Sequence, residues 1–205
     1  AGMYGVYHGP QGLKRIATRI HTLTALLHTA IVNAGLKSIN SSFFDTLTFE
    51  LTPEQISKVK QLADNLKINF RYESNRRVGI SLDETTTETD LTDILKAFGV
   101  SLVLPKVSEV SSPIKAEGLR KSNFLSHPTF NQYHSETEML RYIRSLEAKD
   151  LSLTSSMIPL GSCTMKLNAS SEMYPVSWPE FSRLHPFVPE NQTQGYRQMF
   201  QQLEN

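Results

Sequence analysis

Leu13, Ile16, Ile20, Leu23, Leu27 and Ile31 recur at spacings of three and four residues across "GPQGLKRIATRIHTLTALLHTAIVNAG". That period lays a single apolar stripe along a long helix, with Lys14, Arg15, Arg19 and Thr22 off it. Pro10 and Gly12 mark its start and Gly35 its stop. A stripe of this length must be buried against a second layer, so the next question is what the chain supplies to cover it.

A sheet is the answer the following residues give. In "FFDTLTFEL", Leu47, Phe49 and Leu51 alternate with Thr48 and Glu50, the period-2 pattern of a half-buried strand. Thr52 can cap the helix that comes next, Pro53 suits its first turn, and Gln55 completes a capping box ahead of Ile56, Val59, Leu62 and Leu66. Two more alternating stretches, "INFRY" and "VGISL", flank "ESNRR", which reads as a hairpin connection. A last helix carries Leu91, Ile94, Leu95 and Phe98 and ends at Gly99. The order helix, strand, helix, strand, strand, helix predicts helices packed on a small, mainly antiparallel sheet.

From about Leu104 the periodicity dissolves into "PKVSEVSSPIKAEGLRKSN", a linker or surface-crossing segment. A second organised region follows. In "YHSETEMLRYIRSLEAKD", Ser135 and Glu138 form another capping box, and Met139, Tyr142, Ile143 and Leu146 share one helix face. Residues Leu151 to Pro189 hold five prolines and little periodicity, which predicts an irregular arm. The arm carries Tyr174, Trp178, Phe181 and Phe187, more aromatic surface than it can hide alone, so another domain or subunit is expected to cover it. The start at Ala1 and the amphipathic "GYRQMFQQLEN" at the other end read as an internal fragment of a longer chain.

Charge narrows the class of partner. Twenty-one basic and 20 acidic side chains give a formal charge of +1, so no field of one sign draws the chain to nucleic acid. No apolar run approaches the roughly 20 residues that cross a bilayer, which argues against membrane insertion. The one cysteine, Cys163, excludes an internal disulfide framework and fits a reducing compartment.

The densest chemistry lies in "IPLGSCTMKLN". Gly161 allows a tight turn whose successive amides can form an anion-binding concavity, with Ser162, Thr164 and the Lys166 ammonium as further donors. The same residues also make an ordinary Pro-Gly-Ser turn around a buried, inert cysteine, and local chemistry alone favours that turn. A nucleophilic Cys163 would need a base, and no spacing joins His127, His134 or His185 to it. "MYGVYHGPQG" holds His8 but lacks the strand, glycine spacing and lysine of a phosphate-binding loop, and reads as a joint between helices. In "DETTTETD", Asp83, Glu84, Glu88 and Asp90 read as the acidic start of a helix rather than as paired catalytic carboxylates. No set of His, Cys, Asp and Glu has metal-ligand spacing.

"MYGVYHGPQGLKRIATRIH", "SLDETTT", "HPTFNQYHSETEMLRYIRSLEAKDLSL", "SMIPLGSCTMKLN" and "WPEFSRLHPFVP" resemble, in order, segments of the glycine-decarboxylating P-protein of the glycine cleavage system. Only Ala34–Asn75 and the stretch around Val107–Lys121 are nondescript. The resemblance implies an α/β class: two related halves, each like a fold-type I pyridoxal-phosphate enzyme. Residues 1–104 would be the α+β small domain closing the first half, 105–123 a linker, and 124–205 the irregular or helical arm that opens the second, cofactor-binding half. Both halves on one chain imply the single-chain form.

Chemically, the resemblance implies that glycine condenses with pyridoxal 5'-phosphate, which acts as an electron sink while the carboxylate leaves as carbon dioxide. The aminomethyl group then passes to the lipoyl disulfide of the partner H-protein. A homodimer of the parent chain is implied, in a bacterial cytoplasm or, in a eukaryote, a mitochondrial matrix. The Schiff-base lysine and the residues around the cofactor ring would lie beyond Asn205, leaving the fragment alone inactive. Ser162, Cys163, Thr164, Lys166 and Asn168 become substrate- or cofactor-facing candidates, with Lys166 in an electrostatic role at most. The other reading of the fragment is an interdomain or subunit interaction module in which this loop is packing.

Overall fold

The computed structural model describes residues 1–73, 76–101, 104–150 and 170–205. The apolar stripe lies on a helix, α1 (Gly2–Asn33), which starts earlier than the pattern alone indicates. It is two helical segments joined at Gly9, whose φ of 59° and ψ of −179° lie in a region essentially reserved for glycine. Ile20, Leu23, Leu27 and Ile31 are buried, with Leu13 and Ile16 half-buried at the end nearer the break. Thr24 sits fully buried among them, and its hydroxyl donates to the Ile20 carbonyl at 2.9 Å, so burial leaves no orphaned group. Past Asn33 the chain turns through Gly35, which takes a left-handed φ of 87°.

The sheet lies beneath α1. Its strands are β1 (Lys37–Ser38), β2 (Thr46–Glu50), β3 (Arg71–Tyr72) and β4 (Arg77–Ser81), in the order β1-β2-β4-β3 with every pairing antiparallel. Register follows the alternation. Leu47 faces Ile80 and Phe49 faces Val78 on the buried side, while Thr46 faces Ser81 and Glu50 faces Arg77 on the other. "INFRY" yields only the two residues of β3, although Ile68, Phe70 and Tyr72 do pack on the core as their alternation predicts. Strand β1 carries no alternation and was not legible.

Two capped helices complete the layer. Helix α2 (Pro53–Asn65) starts at Thr52, whose hydroxyl accepts from the Gln55 amide while the Gln55 side chain accepts from the Thr52 amide. Helix α3 (Glu88–Ala97) repeats the device with Thr87 and Asp90 and stops before Gly99, at φ 69°. The side chains of Leu27, Ile31, Leu47, Phe49, Val78 and Leu91 are enclosed at the centre. Phe98 meets Phe49 and Phe70 edge to face, with centroids 5.7 and 5.4 Å apart.

The chain divides into two compact units, Ala1–Tyr142 and Ile143–Asn205. Within the first, the aperiodic segment crosses the surface in short 3-10 turns, at Val107–Glu109 and Ala116–Gly118. Leu104 and Val110 pack on the core, and the Pro113 carbonyl accepts from Ser42 Oγ at 3.3 Å. Helix α4 (Glu136–Glu147) then begins with the capping box of Ser135 and Glu138.

The second unit takes in the end of α4 and, among its described residues from Ser170 on, α5 (Ser170–Ser177), α6 (Pro179–Ser182), a 3-10 turn at Glu190–Gln192 and α7 (Gln194–Glu204). Helices α5 and α6 lie within the stretch expected to be irregular. Helices of four and eight residues are too short to display a 3.6-residue period, and Pro179 supplies the pre-set φ of a first helical residue. Phe181 and Tyr196 meet edge to face at 6.0 Å, and the Tyr196 hydroxyl donates to the Phe181 carbonyl. Tyr174, Trp178 and Phe187 stay exposed, Phe187 at 91%. Among the described residues, no helix is long and apolar enough to cross a membrane.

Candidate functional site

Ser162, Cys163, Thr164, Lys166 and Asn168 lie outside the described residues. What the structure does bring together is three of the stretches singled out by sequence: the joint around His8, the acidic run from Asp83, and "HPTFNQYH".

The joint comes first because the others are built on it. Pro10 has no N–H to continue the helical ladder, so the backbone breaks at Gly9 and exposes polar groups to new partners. The carbonyl of Tyr7 accepts from Nδ1 of His134 at 2.7 Å. A carbonyl has no proton to give, so Nδ1 of His134 is the protonated nitrogen. Phe130, in the 3-10 turn Pro128–Asn131, lies against Gly5, where an added Cβ would come within 3.7 Å of its ring. His8 faces Gly12 and stacks at a tilt on Tyr4, with ring centroids 4.3 Å apart.

The acidic run is tied to the same helix. Arg19 donates to the main-chain carbonyls of Glu84 at 3.1 Å and Thr86 at 2.6 Å, and the Tyr4 hydroxyl reaches Glu84 Oε1 at 3.4 Å. Asp83 accepts from the Thr85 amide and from the Thr85 and Thr86 hydroxyls. Those bonds, the Thr85 hydroxyl foremost, hold its carboxyl below the usual range. Asp90 is occupied by Thr87 in the capping box. Asp83 and Asp90 thus act as acceptors in the turn and cap that start α3, the helix-start role their sequence predicted.

The histidines considered as bases are likewise engaged locally. His127 Nδ1 accepts from the Thr129 amide, His134 bonds Tyr7, and His185 Nδ1 accepts from the Phe187 amide. Every lysine among the described residues is exposed. A lysine that carries a carbonyl cofactor at neutral pH needs desolvation or a neighbouring cation to lower its pKa, so the described lysines do not fit that role. Among the described residues, no three His, Cys, Asp or Glu are grouped to hold a metal ion. The arrangement positions chain segments; it does not by itself contain a reacting group.

Sequence reasoning missed Arg19, Phe130 and His134 as members of this cluster. A Gly-Pro step inside a helical pattern did signal the break. Nothing local signals His134, whose partner lies 127 residues away.

Comparison with known proteins locates the chain. Residues 1–98, from α1 through α3, match the family described as glycine cleavage system P-protein. A "Glycine dehydrogenase (decarboxylating)" of a Nostoc species is 53% identical over 213 aligned residues, covering 100% of this chain and 22% of that protein. Proteins of the same name from Stutzerimonas stutzeri and Thermosynechococcus vestitus are 50% and 52% identical, covering 100% and 99% of this chain. The chain thus spans 22% or 21% of the length of these relatives.

Proposed function

Since the chain belongs to the glycine cleavage system P-protein family, we propose that it forms part of a protein that decarboxylates glycine and passes the remaining aminomethyl group to the lipoyl disulfide of an H-protein. The supporting observation is the 53% identity to a glycine dehydrogenase (decarboxylating), which runs through the whole of this chain. In this reading residues 1–104 are the closing small domain of one half, 105–123 the linker, and 124–205 the arm of the second half. On the same reading the parent chain pairs as a homodimer, in a bacterial cytoplasm or, in a eukaryote, a mitochondrial matrix.

Pyridoxal 5'-phosphate, when bound, supplies the electron sink for loss of the carboxylate. The described residues do not fit it, and its lysine belongs to a part of the protein outside them. The contribution of this chain is the loop from Ser162 to Asn168. Loss of carbon dioxide requires the glycine carboxylate to be oriented without being held too firmly as an anion, because binding shared equally by ground and transition states does not speed the step. Ser162, Thr164 and Asn168 offer neutral donors, and Lys166 one cation. Cys163 stands among them in sequence as a further candidate to face the substrate.

The exposed Tyr174, Trp178 and Phe187 favour a second reading, in which the fragment is an interdomain or subunit interaction module and the loop is packing. Thr164→Ala and Lys166→Ala in the full-length protein separate the two. The catalytic reading expects glycine-dependent release of carbon dioxide to fall at least tenfold with little change in melting temperature. Unchanged turnover and glycine affinity with a lowered melting temperature would leave only the interaction module.

A further inference from the structure

We propose that His134 is a positioning residue, which with the break at Gly9 forms a clasp fixing the start of α4 on α1. Two independent features of Gly9 make the seat. Its φ of 59° with ψ of −179° admits glycine alone, and a Cβ there would lie 2.6 Å from the Phe130 carbonyl oxygen and 2.7 Å from Cε1 of His134. The turn Pro128–Asn131 and the His134 ring therefore rest directly on bare backbone. The turn is itself prefolded: Asn131 Nδ2 donates to the carbonyls of Leu125 and His127, and Leu125 holds a φ of 50°.

From this seat the connection to α4 is one residue long. The His134 ring grips the Tyr7 carbonyl, and Ser135, next in the chain, exchanges hydrogen bonds with Glu138 in the capping box. The Ser135 amide also donates to Glu138 Oε2, at 3.3 Å. One histidine thus joins the broken helix on its side chain to the capped helix on its backbone. Because Nδ1 donates in both the neutral and the doubly protonated ring, the clasp keeps its bond in either protonation state. The clasp stands on this geometry; its effect on turnover rests on the glycine reading above.

Three variants of the full-length protein test it by hydrogen exchange and glycine turnover. His134→Phe keeps a ring but removes the donor, His134→Asn places an amide N–H near the position of Nδ1, and Gly9→Ala fills the seat. Exchange across Phe130–Met139 should rise about fivefold in His134→Phe, the weight of one hydrogen bond, and more in Gly9→Ala, with Leu23–Ile31 unchanged. His134→Asn should restore it. The kcat should follow the same order, with KM for glycine nearly constant. Exchange in His134→Phe equal to wild type, failure of His134→Asn to rescue, or a kcat that ignores increased exchange would each overturn the proposal. A wild-type protein with no glycine turnover would sink the functional reading, and the exchange pattern would then decide the clasp by itself.

Discussion

The guanidinium of Arg19 donates to the main-chain carbonyl of Thr86 at 2.6 Å, pinning the turn before α3 to the middle of α1. Its second nitrogen bonds the Glu84 carbonyl, so both acceptors are neutral. Arg19→Ala is expected to lower stability by about 0.5–1.5 kcal/mol, because the pair is exposed. Arg19→Lys should lose much of the same, since an ammonium cannot span both carbonyls. Urea unfolding at low and high salt checks the assignment. Neutral acceptors predict little salt dependence; a marked one would mean the arginine acts by ion pairing instead.

Phe49 tests the core. It is fully buried, opposite Val78 on β4 and edge to face with Phe98. Phe49→Ala should cost about 3–5 kcal/mol, and Phe49→Leu distinctly less, because leucine fills more of the space. A loss below about 1 kcal/mol in the unfolding free energy of the alanine variant, from denaturant titration, would show that the site collapses freely around the deletion.

His28 gives the unit a pH dependence. Its ring lies against Phe43 at 4.7 Å, its Nε2 is buried with no hydrogen-bond partner among the described residues, and burial lowers its pKa from 6.5. Unfolded, the residue takes up a proton near pH 6.5; folded, it does so only at lower pH. Between those limits the unfolded chain binds more protons, so stability is greatest above the unfolded value and declines as pH falls toward the folded one. His28→Phe should flatten that part of the curve. An identical slope in wild type and variant, followed by thermal unfolding from pH 7.5 to 5, would assign the dependence to other groups.

Legibility in the sequence divides along the range of the interactions involved. The stripe of α1, the capping boxes at Thr52 and Ser135, and the inward set Leu47, Phe49, Val78 and Ile80 follow from periods and caps spanning a few residues, and each is found where the pattern put it. The two residues of β1 exist only because β2 pairs with them, and no pattern of two residues can announce a strand. The pairing of His134 with Tyr7 is invisible for the same reason at longer range. Within the site, the helix-start reading of the acidic run is met at Asp83, which accepts from Thr85, and at Asp90, which accepts from Thr87 in the cap of α3.

The strand order places the two shortest strands at the two margins of the sheet. Lys37 on β1 is ion-paired with Glu50, and Arg71 on β3 with Glu73, both basic side chains remaining largely in water. A margin two residues long and bearing a hydrated charge is a poor template for a strand from another molecule. The longer, apolar strands β2 and β4 are paired on both sides. The unit thereby carries its own protection against edge-to-edge aggregation.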